Sequence, residues 1–415
     1  MSSELGRRIA FTLGALLIYR IGSFIPLPGI DLSVWAHFFS THADGILGLF
    51  SMSGGGGASR LAIFALGIVP YVSAAIVVQL VFIVIGRLKT LRAQGEQGRQ
   101  TIVSYTRYLT LLIASFQGYG IALGLEAVPN LVAGPGTLFR VSTVVTLAGG
   151  AMFLVWLSEQ ITLRGLGNGI AIILCVGIVI ELPSVVFGML DLGRQGVFSS
   201  GFILLILVMA IAAVGFVVFM ESARRRLLVE FAPRPTGERK PGAQASFLSL
   251  KLNSAGVIPI LAASWLMLVP MTFASLVDNE GTGLLAAVAR GFGNGQPLFL
   301  ICYALLIVVC GLIYTAMVLD PGQAAESLQR HGGTIPGVEP GEATAAHVDR
   351  VLSITTLMGA AYLALVCLIP EILVSYAQVP FYFGGASLLI VVCTVLDIGA
   401  FFQVGAFDKL GGYHQ

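Results

Sequence analysis

Residues Gly201–Met220 read GFILLILVMAIAAVGFVVFM, twenty consecutive positions without a charge, an amide or a proline. At about 1.5 Å of rise per residue such a helix is roughly 30 Å long, the thickness of a bilayer's hydrocarbon core. A helix that faces water needs a polar side, and this one has none on any face. Outward from it, further windows carry no charged residue: Leu61–Ile85, Ser254–Val277, Leu298–Leu319 and Val351–Pro370, with the shorter Tyr108–Leu125 and Val141–Ser158. Three more spans hold one ionisable residue each. These are about 9–25 with Arg20, about 170–190 with Glu181, and about 383–405 with Asp397. The reading is an all-α membrane protein of ten transmembrane helices.

Composition agrees. Lys and Arg number 23 and Asp and Glu 21, 11% of 415 residues, where a soluble domain carries about 25%. So little polar surface excludes a cytosolic enzyme, a nucleic-acid-binding module and a disordered chain. Arg7 and Arg8 precede the first apolar stretch as in a signal peptide, but no small-residue cleavage site follows, so the stretch is read as an uncleaved first span. The five cysteines (Cys175, Cys302, Cys310, Cys367, Cys393) lie in apolar runs without paired spacing and read as small buried hydrophobes.

Topology follows from the distribution of cations. With the N-terminus cytoplasmic, 18 Lys and Arg fall on that side, including Arg224, Arg225, Arg226, Arg234, Arg239, Lys240 and Lys251 between spans six and seven. The opposite side has Arg60, Arg140, Arg194 and Arg290. Both termini are therefore expected in the cytoplasm. Ten spans divide as five plus five, and an odd number per half forces inverted orientations with a functional path between them. The halves are expected at 1–190 and 191–415, with protruding cytoplasmic loops at 222–253 and 320–350. Residues 31–60, rich in Gly and holding the short apolar run Ile46–Phe50, read from composition as an external loop. The other reading is irregular backbone at membrane depth, covered by protein.

Sites for covalent chemistry are not evident. The histidines (His37, His42, His331, His347, His414) have no metal-ligand spacing. Gly165-Leu166-Gly167-Asn168-Gly169 lacks the Gly-Lys-Ser/Thr of a phosphate loop and reads as a helix-initiating turn. Asp320 and Asp397 raise an intramembrane aspartyl protease, but Asp320 stands in Leu319-Asp320-Pro321 at a membrane edge and a structural role is expected for both. An ion-coupled small-solute transporter is the alternative function. It calls for ionisable groups at the midplane, where this chain has mainly aliphatic residues. Aliphatic span centres suit a hydrophobic constriction that gates by dewetting.

Ordered strings carry a resemblance. Tyr19-Arg20-Ile21-Gly22-Ser23-Phe24-Ile25-Pro26 is followed by Pro28-Gly29-Ile30-Asp31, then Ile63-Phe64-Ala65-Leu66-Gly67-Ile68 with Pro70-Tyr71. Ser104-Tyr105-Thr106-Arg107-Tyr108, Glu159-Gln160-Ile161-Thr162, the 165–169 string and Val257-Ile258-Pro259 come next. Pro340-Gly341-Glu342-Ala343-Thr344 and Val379-Pro380-Phe381-Tyr382-Phe383-Gly384-Gly385 close the series. Along almost its whole length the chain resembles the SecY family, channel subunits of the bacterial Sec protein translocase.

The resemblance implies a clamshell of two inverted five-helix halves around an hourglass pore. It places a pore ring at Ile68, Val72, Ile170, Leu174, Leu261 and Ile390, and a plug at about 46–60 that includes Ile46, Leu49, Phe50, Gly54, Gly55 and Arg60. The plug reading displaces that of a plain external loop. A lateral gate is implied at Ser73, Gln79 and Asn253, whose polar groups either bond across the closed seam or bond within their own helices. Cytoplasmic docking is implied at Arg225, Arg226, Arg239 and Lys240. Glu339 stands where the family often has Arg, which puts that contact in doubt. The implied function is translocation of unfolded secretory chains across the bacterial inner membrane, with lateral release of apolar segments into lipid. The implied partners are SecE, SecG, the SecA motor, the translating ribosome and signal-bearing preproteins. The resemblance implies no cofactor, no metal and no catalytic residue.

Overall fold

The computed structural model describes residues 2–36, 60–85, 91, 94–196, 199–231, 244–253, 255–264, 266–267, 291, 296–318, 321–377 and 384–410. Helices dominate: α1 (Ser2–Gly22), α2 (Val69–Val84), α3 (Glu96–Glu126), α4 (Thr137–Arg164), α5 (Gly169–Arg194), α6 (Ser200–Ser222), α7 (Pro297–Val318), α8 (Pro321–Arg330), α9 (Glu342–Ala377) and α10 (Gly385–Leu410). A further helical stretch occupies 258–264. Among the described residues, seven helices are long and apolar enough to cross a membrane.

Most helices outrun their uncharged windows. The window Tyr108–Leu125 sits inside α3, which begins at Glu96 and so includes Arg99 and Arg107. The second window runs the other way. It opens at Leu61, but the helix begins only at Val69, and residues 60–68 form turns.

The stretch between α6 and residue 253 is not the plain loop that its sequence suggests but holds an antiparallel pair. Strand β1 (Arg224–Phe231) pairs with β2 (Gln244–Lys251) in the register Arg224↔Lys251 to Phe231↔Gln244. The short β3 (Gly333–Thr334) adds to the other edge of β1 through Glu230↔Thr334, giving the order β2-β1-β3. Leu227 and Val229 are buried while Arg226, Leu228 and Glu230 are exposed, the period-two signature of a half-buried strand.

The chain divides into two compact units. The first comprises the described residues of 1–206 and 390–415, the second those of 207–379 and 384–389, so α6 and α10 each contribute to both. In the first unit α4 is central, packed on α1, α2, α3 and α5. One buried cluster joins Leu27, Leu61, Leu66, Ala114, Leu131, Leu147 and Ala148, and a second joins Ala15, Tyr19, Phe64, Ile68, Leu154, Ile161, Ile172 and Ile173. Small residues permit close approach: a Cβ on Gly118 would touch the Val144 backbone at 3.4 Å. In the second unit α7 packs on α9, with Gly311 against Ala360, and α8 packs on α9 and β3.

Candidate functional site

The string 165–169 is a helix-initiating turn, and it aims the start of α5. Gly167 takes φ +57°, a left-handed conformation open to glycine. Asn168 then caps α5, its Oδ1 accepting the Ile170 N–H at 3.0 Å, while the Gly169 N–H donates to Thr162 Oγ1 at 2.9 Å. From α1, Thr12 Oγ1 accepts the Leu166 N–H at 3.1 Å and donates to the Arg8 carbonyl at 2.9 Å. A side chain at Gly169 would collide with the Ser158 carbonyl, so α4 and α5 meet backbone to backbone.

The turn delivers Ile170 and Leu174 to the second cluster, where both are half-buried. Ile68, fully buried, and half-buried Val72 approach the same cluster from the start of α2. Thr394 Oγ1 on α10 donates to the Ile390 carbonyl at 2.6 Å and lies 3.4 Å from the Ala171 carbonyl, which ties the turn after Ile390 to the first turn of α5. Five of the six expected ring positions therefore belong to the first unit, four of them around one cluster. Leu261 lies on the 258–264 stretch of the second unit and is half-buried.

Residues 61–68 are irregular, apolar and almost entirely buried, while Arg60 before them is exposed. Their backbone groups find partners all the same: Leu27 N–H to Leu61 O at 2.8 Å, Ile63 N–H to Ile25 O at 2.9 Å, Ala65 N–H to Ala62 O at 2.9 Å and Gly67 N–H to Phe64 O at 2.8 Å. Non-helical backbone covered by protein and bonded internally is the form that a membrane tolerates. Phe64 holds the segment in place, stacking 6.2 Å from Tyr19 and 5.8 Å from Phe153. Earlier in the sequence, Asp31 Oδ1 accepts from Ser33 N–H at 2.9 Å and Ser33 Oγ at 2.6 Å, and the Ser33 hydroxyl holds the Asp31 carboxyl below its ordinary value.

Of the expected gate residues, Ser73 bonds within its own helix and Asn253 reaches α6. Buried Ser73 donates to the Val69 carbonyl at 2.7 Å, within α2. Buried Asn253 donates to Glu221 Oε1 at 2.7 Å and closes a turn with Gly256, accepting its N–H at 3.0 Å. Gln79 is half-buried on α2. Of the docking residues, Arg225 and Arg226 are exposed on β1 and Glu339 is exposed before α9, its carbonyl accepting from Thr344 Oγ1 at 2.7 Å. Ile46, Leu49, Phe50, Gly54, Gly55, Arg239, Lys240 and Asp320 lie outside the described residues, and of the plug positions Arg60 is described. Asp397 is exposed on α10.

Sequence reasoning missed the ion pair that clasps α3 to α4. Arg107 donates to Glu159 through Nε at 3.1 Å and through Nη2 at 2.7 and 2.6 Å. The signal was available: opposite charges stand near the same end of two consecutive spans, inside two of the strings that carry the resemblance.

The SecY family profile matches residues 62–399. Among curated proteins, the chain is similar to protein translocase subunit SecY of Escherichia coli K12, with 46% identity over 402 residues, 96% of this chain and 90% of the relative. Among solved structures, it is similar to that of a protein conducting channel, with a TM-score of 0.68 and 18% identity over 99% of this chain and 94% of the other. Another similar structure, TM-score 0.67 and 17% identity at the same coverage, concerns the plug domain of a SecY protein, which stabilizes the closed state of that translocation channel and maintains a membrane seal.

Proposed function

The chain belongs to the SecY family, and from that premise we propose that it is the protein-conducting subunit of a translocase, a channel and not an enzyme. Unfolded secretory polypeptides pass through a constriction formed by Ile68, Val72, Ile170, Leu174, Leu261 and Ile390, between halves at 1–190 and 191–415. The observation that carries this reading is the convergence of Ile68, Val72, Ile170 and Leu174 on one cluster at the starts of α2 and α5. An aliphatic ring accommodates an extended chain without binding its polar groups, and when empty it dewets and resists ion flow. Residues 46–60 serve as the plug. Ser73, Gln79 and Asn253 border the lateral gate, through which apolar segments enter lipid; each Leu at the centre of a segment favours that transfer by about 0.3–0.6 kcal/mol, and each Asp, Lys or Arg opposes it by about 2.5–3.5 kcal/mol.

The protein resides in the bacterial cytoplasmic membrane with both termini in the cytoplasm. It works with SecE and SecG and is driven by SecA or a translating ribosome. Arg225, Arg226, Arg239 and Lys240 serve as cytoplasmic contacts, and for the ribosome they meet rRNA phosphates without reading sequence. Glu339 weakens the contact beside it. Among the described residues no group of His, Cys, Asp and Glu has the geometry of a metal site.

A photoreactive probe at Ile68, Leu174, Leu261 or Ile390 in reconstituted vesicles tests the path. Crosslinks to a stalled secretory chain that require ATP and a functional signal sequence are the expected outcome. Intact translocation with no crosslink from any of the four positions sends the chain elsewhere and removes the ring assignment.

A further inference from the structure

One carboxylate at the C-terminal end of α6 gathers three stretches of the second unit. Asn253 donates its amide N–H to Glu221 Oε1 at 2.7 Å, and Tyr362 Oη, on α9, lies 3.5 Å from the same oxygen. The Asn253 amide nitrogen also donates to the Gly256 carbonyl at 3.2 Å, while Asn253 Oδ1 accepts the Gly256 N–H at 3.0 Å. An amide nitrogen carries two hydrogens, and both are thus engaged inside the second unit. Asn253 and Tyr362 are both buried, so the contacts to the carboxylate are made largely out of water, where a hydrogen bond to a charged group is strong.

The backbone around Asn253 is fixed by the same neighbours. The Leu252 N–H donates to the Ala223 carbonyl at 3.1 Å, just past the end of α6. A Cβ on Gly359 of α9 would stand 2.5 Å from the Leu252 carbonyl, so α9 meets this segment with no side chain between them. Tyr362 follows Gly359 by three positions, on the same helix face, and its ring meets that of Phe216 on α6 edge-on at 5.8 Å. Gly256 takes φ +64°, a left-handed turn that leads the chain from Asn253 into the 258–264 stretch. Asn253 therefore stands where α6, α9 and the root of the 258–264 stretch meet.

We propose that Glu221 is a positioning residue for the lateral gate: its carboxylate, through the Asn253 amide and the Tyr362 hydroxyl, holds the root of the 258–264 stretch against α6 and α9. This rests on the gate reading of Asn253. With both amide hydrogens committed to this anchor, Asn253 acts by bracing its own side of the gate and not by donating across the seam. A braced root resists the displacement that admits an apolar segment, so the anchor sets how apolar a segment must be before it enters lipid. A hydrogen bond to a charged group shifts an equilibrium about tenfold or more, and each central leucine shifts entry into lipid about two- to threefold, so loss of the anchor matches roughly two to five leucines.

The test uses the full-length protein, purified with its membrane partners and reconstituted in vesicles, and preproteins whose signal cores carry graded numbers of leucine among alanines. The readout is the leucine count at half-maximal translocation. Glu221→Ala is expected to lower that count by about two to five, Asn253→Ala to lower it equally, and the double variant to lower it no further than either alone. Glu221→Gln keeps an oxygen for the Asn253 amide and is expected to hold the parent's count. The most leucine-rich signals are expected to translocate at the parent's rate, which a merely structural defect does not allow. Asn253→Asp sets two carboxylates against each other and is expected to lower the count; adding Glu221→Gln restores a donor and is expected to bring it back. A count moved by Asn253→Ala but not by Glu221→Ala overturns the role of Glu221 and leaves the gate reading standing. Additive shifts, or an equal loss for every signal in Glu221→Ala, also overturn that role. A count moved by neither single variant overturns both readings. If Glu221→Ala fails to assemble, the Asp–Gln exchange decides, and a count that stays low in the exchanged pair overturns the proposal.

Discussion

Phe219 in α6 and Phe64 in the stretch before α2 are the same side chain set in equally apolar sequence, yet the first is 71% exposed and the second 4%. Around Phe219 the backbone is uninterrupted helix, and only 6% of the span's most apolar window is buried. Around Phe64 the backbone turns repeatedly and the side chains lie inside protein. Apolar composition therefore fixes depth in the membrane but not conformation or company. In a bilayer, moving a ring from lipid into protein gains packing and no release of water, so the two phenylalanines differ in what touches them and not in how dry they are.

That contrast is open to direct attack. Phe64→Ala removes a ring stacked on both sides by Tyr19 and Phe153 and is expected to cost about 3 kcal/mol or more, read as a fall in the unfolding midpoint in nanodiscs. Phe219→Ala is expected to stay within about 0.5 kcal/mol of the parent; equal losses at the two sites end the comparison. Next in size is a pair of adjacent glycines on α4. A Cβ on Gly150 collides with the Ile63 carbonyl of the irregular stretch, while one on Gly149 meets nothing within 4 Å. Gly150→Ala is expected to destabilise by about 1–3 kcal/mol, and Gly149→Ala to stabilise slightly through helix propensity. The smallest effect belongs to the α4–α5 turn, where Asn168→Ala loses one cap and is expected to cost about 1 kcal/mol. A loss as large as that of Phe64→Ala would place the rigidity of the site in the turn and not in the aromatic stack.

Much of this was legible beforehand, for uneven reasons. Uncharged windows located the spans because lipid imposes that composition. They missed the helix ends because α3 continues through Arg99 and Arg107 once it leaves the hydrocarbon or finds a partner such as Glu159. The delayed start of α2 was hidden because Leu61–Ile68 is as apolar as any helix, although Gly67, at φ +57°, was the visible trace of a turn. Strand β1 was hidden because its three leading arginines resemble a solvated charge run and Leu228 breaks the alternation beyond them. At the site, the 165–169 turn was legible from glycine and asparagine chemistry. Ile68, Val72, Ile170 and Leu174 were not, since nothing in an aliphatic residue type separates a constriction from a core. Their grouping came from resemblance, and the structure adds that they share one cluster.

The bond from the Leu166 N–H to Thr12 Oγ1 joins positions 154 residues apart, and that from Thr394 to Ala171 joins positions 223 apart. During synthesis at about 5–20 residues per second, residue 12 is made roughly 8–30 s before residue 166. Helix α1 must therefore wait in the bilayer, with Thr12 bonded to its own Arg8 carbonyl, until the turn that completes its contact arrives. The first unit is then finished by α10, which follows every other described helix in the chain. Assembly of this molecule is a problem in timing as much as in packing: contacts that close the first unit join segments made many seconds apart.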